Sequence, residues 1–556
     1  MMTASINKVT RVAKRFIPLC LFVLLALNAS ATRPRGGWHV HTLPDGTKVS
    51  VALRGDASFH YYESAEGQCY MAAEDGTLVP VGTLQLTQAR ARAKVRAQLP
   101  SLKTDWDSTR IYRQAVVLVS FADTDFSTDD PVSVYHRMLN EHGYNEGKGL
   151  GCVADYFRDQ SGGLFNIQFD VFGPYKASGN ARSYASTAPS LFREAVLSAI
   201  TTSGQDFSVY DWDGNGVVEQ VVIIYAGYGA NDGTDASAGS IWPHTSSFSA
   251  ISCNDGELRL MNYSASAERW GNDKLCGIGT ICHEFSHSLG LPDIYPVDSS
   301  TDEYSVVDEW DLMDGGNFVN NGWCPPNYSM TEKMLLGWAH PVELTDTTIV
   351  RDMLPVSEGG VVYQVKYDDH EYYLLENRQW SGWDARLPGH GLLIVHVDYS
   401  PSMWKNNRVN NDANHHRYDI FHADNRTYND WDLIVGEGSS KVGGHSRYLS
   451  GSPYPYVNEE EGISNNELTD ESVPAALVFG EAGFMSRPIF NVRESADGTI
   501  SFGFLTDVDP DASAILPTEW QTVSDSLQRP ACDLLGRPAT HSRLQVKQGR
   551  KIIVSK

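Results

Sequence analysis

The sequence predicts an α+β fold. Three observations carry that expectation. Apolar, strand-like runs stand at residues 115–121, 165–172 and 217–225. A helical pattern follows, with Ile278, Ile281, Cys282, Phe285 and Leu289 falling on one face. Beyond Val342 the chain breaks into short strands and turns, among them 360–366, 371–376 and 391–397.

A chain of 556 residues has room for roughly three to four domains. The formal net charge of -25 argues against nucleic acid as a partner, because backbone phosphates would be repelled. The N-terminus reads as a signal peptide over 1–31. Lys8, Arg11, Lys14 and Arg15 precede an apolar run at 16–27, too short for an ordinary membrane span, and Ala29-Ser30-Ala31 supplies small residues for cleavage. The mature chain is then expected to be secreted, extracellular or at the cell surface, with no membrane span.

Residues 32–104 read as a propeptide. Residues 47–53 alternate like a strand after the turn Pro44-Asp45-Gly46, and further turns follow at Glu66-Gly67 and Asp75-Gly76. The basic stretch 88–96, a helix or linker in an otherwise acidic chain, suits proteolytic nicking. Residues 105–340 form the expected catalytic domain, with a helix at 153–158. Residues 341–510 form a β-rich accessory domain, and 515–556 a terminal segment.

The chemistry is concentrated in Ile281-Cys282-His283-Glu284-Phe285-Ser286-His287-Ser288-Leu289-Gly290-Leu291-Pro292-Asp293. His283 and His287 lie one helical turn apart, so both imidazoles can face one ion. Gly290 suits a left-handed cap and Pro292 blocks continuation. The reversed chain can then return Asp293 toward the histidines. Three protein ligands with a fourth position left for water is the arrangement of a catalytic zinc. Zinc lowers the pKa of a bound water from about 15.7 to roughly 7. Glu284, beside the ligands, is placed to take that proton and pass it to a leaving amine.

His283-Glu284-x-x-His287-x-x-Gly290-x-x-Asp293 resembles the extended zinc motif of metzincin-type peptidases, with Asp in place of the third His. Trp310-Asp311-Leu312-Met313-Asp314-Gly315-Gly316 resembles their Met-turn. The segments at 153–157, 241–244, 332–338 and 372–378 are similar to those of immune inhibitor A-type metallopeptidases. The resemblance implies a zincin-like catalytic domain in an extracellular bacterial endopeptidase made as a zymogen. Protein or peptide substrates and a propeptide acting as intramolecular inhibitor are implied with it. Met313 would support the metal site from below. Tyr328 is either an oxyanion donor or a packed aromatic.

Latency needs a group over the metal, either the Cys69 thiolate or a propeptide carboxylate. Asp211, Asp213, Asn215 and Glu219 alternate around glycines like the start of a calcium loop, so Ca2+ is a candidate second ion beside Zn2+. The acidic residues Asp298, Asp302, Glu303, Asp308 and Glu309 hold calcium or are solvated. Of the eight cysteines, Cys253 and Cys276 are a candidate pair, and Cys282 is expected to be a buried small residue. Short strands at 533–537 and 549–554 resemble C-terminal sorting domains of type IX secretion. The competing reading is a non-catalytic, metal-stabilised surface binding protein. Glu284 favours the enzyme, because a structural zinc site needs no general base.

Overall fold

The computed structural model describes residues 29–30, 32–92, 99–146, 149–297, 305–426, 449–511, 544–547 and 550–553. The expected leader, except for Ala29 and Ser30, lies outside these residues. Residues 1–510 make one compact unit and 511–556 a second.

The chain begins with β1 (Ala29–Ser30) and a five-stranded meander of β2 (Trp38–Thr42), β3 (Lys48–Gly55), β4 (His60–Ser64), β5 (Cys69–Ala72) and β6 (Leu78–Val81). Helix α1 (Thr83–Arg92) follows, and the rest of the basic stretch lies outside the described residues. The meander buries Val51, Leu53, Tyr62 and Tyr70 against Ala230, Ala238 and Trp242 of the next part of the chain.

That part contains β7 (Ile111–Ser120), α2 (Pro131–Asn140), α3 (Val153–Gln160), β8 (Asn166–Lys176), α4 (Ala188–Ser203), β9 (Val221–Tyr228), β10 (His244–Cys253), β11 (Leu258–Arg269) and α5 (Gly279–Ser288). The strands form a mixed sheet in the order β1-β10-β11-β9-β7-β8. β7, β8, β9 and β11 run parallel, whereas β10 is antiparallel to β11. Strand periodicity splits β7 between two cores. Val116 and Leu118 face the core that holds α5, while Ala115, Val117 and Val119 face the core that holds α4. β9 starts at Val221, later than the sequence suggests, because Glu219 is used to close the 211–219 loop on the Trp212 amide at 2.9 Å.

Helix α6 (Met330–Leu335) leads into β12 (Val342–Glu343), β13 (Thr348–Met353), β14 (Tyr363–Lys366), β15 (Glu371–Arg378), β16 (Gly391–Asp398), α7 (Pro401–Lys405) and β17 (Tyr418–Ile420). All of these strands except β13 form a second sheet, ordered β12-β14-β15-β16-β17. Tyr372 and Leu374 of β15 enter the same core as α5, and Tyr373 and Leu375 face a third core beneath β18 (Ile489–Glu494) and β19 (Ile500–Phe504). Packing is therefore continuous across residue 340. In the terminal unit, Leu544–Lys547 pairs with Arg550–Ile553 as a hairpin; the expected strand at 533–537 lies outside the described residues.

Candidate active site

Every residue of α5 is buried, because the helix runs between the mixed sheet and the segments that follow it. Phe285 anchors it, with ring centroids 4.9 Å from Phe157 and 6.0 Å from Phe169. The helix ends as its sequence predicts. Leu291 N returns to Ser286 O at 3.2 Å, and Gly290 has φ +99. Glycine is needed there twice over, since a Cβ would stand 2.8 Å from Leu102 Cα as well.

The reversal brings Asp293 to both histidines. Its Oδ1 lies 3.2 Å from His283 Nε2 and 3.2 Å from His287 Nε2. The other ring nitrogens are fixed by carbonyl oxygens, His283 Nδ1 on Leu312 O at 2.7 Å and His287 Nδ1 on Leu291 O at 2.8 Å. A carbonyl only accepts, so both Nδ1 atoms carry hydrogen and both Nε2 lone pairs face the carboxylate oxygen. These three acceptors are buried and none has a hydrogen-bond donor. A cation is what such a cluster of acceptors lacks. Burial would discharge His287, but Asp293 outweighs burial and lifts the ring to about 9. Burial likewise acts to raise the Asp293 pKa, yet the two histidines hold it well below the usual carboxylate range.

Glu284 is fully buried beside this cluster. Burial raises its pKa, with His283 and His287 opposing the rise. Thr245 Oγ1 of β10 lies 2.9 Å from its Oε2, and Thr32 N donates to its Oε1 at 2.8 Å. Met313 is fully buried in the core under α5. Its turn supports both ligand-bearing segments. Leu312 O holds His283, and Met313 O accepts from Ile294 N at 2.9 Å, one residue past Asp293.

Residues 106–335 match the family model described as immune inhibitor A peptidase M6, catalytic domain. That stretch of the chain is similar to this catalytic domain. Over 325 residues it is 23% identical to the pre-pro-metalloprotease PrtV of two Vibrio cholerae serotype O1 strains, spanning 52% of this chain and 35% of that protein. Over 287 residues it is 24% identical to immune inhibitor A of Bacillus thuringiensis subsp. alesti, spanning 41% of each. The chain thus covers less than half the length of these relatives.

The remaining site expectations resolve as follows. Tyr328 is a packed aromatic: its hydroxyl pairs with Ser286 Oγ beneath α5, and its ring lies 5.6 Å from Tyr156 and 5.7 Å from Trp338. Cys69 sits on β5, its thiol directed to Gly67 O at 3.8 Å, outside the cluster of candidate metal ligands. Cys253 and Cys276, the candidate pair, are both free thiols; Cys276 is buried, and Cys253 lies at the end of β10. Cys282 is buried as expected. Asp211, Asp213 and Glu219 converge with ligand atoms within 4.8 Å of one another. Lys103 Nζ reaches into that group, 3.1 Å from Glu219 and 3.5 Å from Asp213. Asn215 Oδ1 is engaged by Val217 N at 2.8 Å. Asp298, Asp302 and Glu303 lie outside the described residues, and Asp308 pairs with Arg33.

The segment at 372–378 proves to be a lock on the chain that follows the Met-turn. Arg378 is fully buried; its Nε and Nη2 bind Asp384 at 2.8 and 2.9 Å, and its Nη1 binds Glu376 at 3.1 Å. Those carboxylates also accept from Asn327 N at 2.9 Å and Met330 N at 2.6 Å.

Proposed function

We propose that the protein is a secreted, zinc-dependent endopeptidase made in a latent form. The observation that carries the reading is the convergence of His283 Nε2, His287 Nε2 and Asp293 Oδ1 as buried acceptors without donors, with the Glu284 carboxylate beside them. Two nitrogens and one carboxylate oxygen suit zinc and leave one coordination position open. Zinc bound there supplies Lewis acidity toward a peptide carbonyl and toward water. Glu284 takes a proton from the attacking water and delivers it to the leaving amine. Thr245 fixes the carboxylate from the side opposite Thr32. In the competing reading, a surface binding protein, a buried carboxylate at this place has no task.

Latency is attributed to the expected propeptide, residues 32–104, whose first residues lie at Glu284. Ala29 and Ser30 pair antiparallel with Ser246 and Thr245 on the sheet edge. Thr32 then covers Glu284, its carbonyl held by Trp242 Nε1 at 2.9 Å and its hydroxyl by Asn231 Nδ2 at 3.1 Å. A substrate cannot reach Glu284 while Thr32 is there. Cleavage of a leader after Ala31 would leave an amino group at the same spot. The meander, residues 38–81, serves as the body of the inhibitor, and Lys103 N on Leu289 O at 3.0 Å ties the linker beside the metal loop.

The Asp211, Asp213 and Glu219 group is assigned to calcium, with Lys103 neutralising it in the uncleaved chain. The terminal hairpin is assigned to export.

The test is hydrolysis of a denatured protein by the processed enzyme with and without a chelator, beside Glu284→Ala. Removing the base should lower turnover by about 10²–10⁴-fold. A variant as active as the parent refutes the mechanism, and full activity of the uncleaved chain refutes the latency.

A further inference from the structure

We propose that the acidic pocket holding Arg33 is a substrate subsite, and that the enzyme selects arginine as the second residue on the leaving side of the bond it cuts. This rests on the peptidase reading and adds to it a preference. The N-terminal segment lies as a substrate would. It adds antiparallel to the edge strand β10 and then passes Glu284 with a peptide nitrogen on Oε1 at 2.8 Å. That nitrogen occupies the place of a leaving amine. In this register Thr32 is the first residue after the bond, and Arg33 is the second.

The pocket is built for a guanidinium. The Arg33 side chain is only 7% exposed; its Nη2 binds Asp308 Oδ1, and its Nε lies 3.2 Å from Asp314 Oδ1. Asp314 is fixed in advance by the amides of Val306, Val307 and Asp308, each 3.0 Å from Oδ2, and by Ser305 Oγ at 2.7 Å from Oδ1. Asp308 takes a left-handed φ of +49 to present its carboxylate. Gly315 completes the floor, for a Cβ there would stand 2.0 Å from Arg33 Nη2. The Phe318 ring lies 5.9 Å from the guanidinium carbon.

Both carboxylates belong to the peptidase and stay when the propeptide leaves. Two buried carboxylates facing each other are costly without a cation. A substrate arginine restores the pair, and lysine, a single-point cation, restores it less well. The chain's own basic stretch, with arginine at 90, 92 and 96, contains bonds that meet this requirement.

The experiment profiles cleavage of a denatured protein by the processed enzyme, then compares peptides differing only in arginine or citrulline at that position. Arginine should be favoured by roughly tenfold or more in kcat/KM. Gly315→Ala, which crowds the guanidinium site and the Asp308 carboxylate without changing charge, should bring the ratio close to one. No enrichment of arginine, or a ratio untouched by both Gly315→Ala and Asp308→Asn, overturns the subsite. Binding of the peptide Thr-Arg-Pro-Arg-Gly-Gly and its citrulline analogue to processed Glu284→Gln protein separates the two claims. Equal affinity overturns the subsite even if cleavage occurs. Arginine preference in binding without any cleavage by the parent enzyme overturns the peptidase reading alone.

Discussion

Asn407 grips Asp293 at two points. Its Nδ2 donates to Asp293 Oδ2 at 2.7 Å, and its Oδ1 accepts from the Asp293 backbone nitrogen at 2.7 Å. The oxygen aimed at the histidines is thereby set by a residue 114 positions downstream. Outer partners of this kind orient ligands.

Asn407→Ala is expected to weaken zinc binding by about 10–100-fold. Competition with a chromogenic chelator measures this directly. An unchanged affinity would show that the turn at Gly290 positions Asp293 unaided.

Arg378→Met should lower stability by about 3–5 kcal/mol, because Glu376 and Asp384 would be left as buried, uncompensated carboxylates. Denaturant unfolding reads the loss. Replacing Arg378, Glu376 and Asp384 together by apolar residues should recover much of it.

The N-terminal meander should detach more easily in acid. Burial lowers the pKa of His39, of His41, which binds Gly233 O at 2.7 Å, and of His60, which is held down to about 4 against Trp242. Free histidine titrates near 6.5, so the released form binds more protons. Docking is fully present above that value and is lost as pH falls from 6.5 toward 4. Dissociation of the nicked chain, followed by size-exclusion at pH 7.5 and 5, checks the sign.

Asp155 caps α3 from inside the fold. Burial would raise its pKa, but hydrogen bonds from His142, Gly143 N and Cys152 N outweigh that and hold it down to about 2. Its contribution, about 2 kcal/mol, is present above the unfolded value of 3.8 and fades as pH falls through 2. Asp155→Ala should remove it, as the pH dependence of thermal unfolding will show.

The cluster of His283, His287 and Asp293 was legible because its parts are local: a helical turn spaces His283 and His287, and one glycine reverses the chain within six residues of His287. The strands at 115–121 and 391–397 were legible because burial on both faces demands unbroken apolar runs. Nothing in the sequence marks Asn407 or Thr245, and it offers Asp308 only as a calcium ligand or a solvated carboxylate, not as a partner of Arg33. The resemblance offered Tyr328 two roles, and only its place beneath α5 chose between them. Local spacing and hydrophobic period thus determined the candidate ligands and the helix that carries two of them. The partners that orient those ligands, the residue that covers Glu284 and the carboxylates that hold Arg33 come from segments far apart in the chain. Only the packing of the sheets on α5 decided them, since long-range contacts depend on how surfaces fit and leave no periodic trace in the sequence.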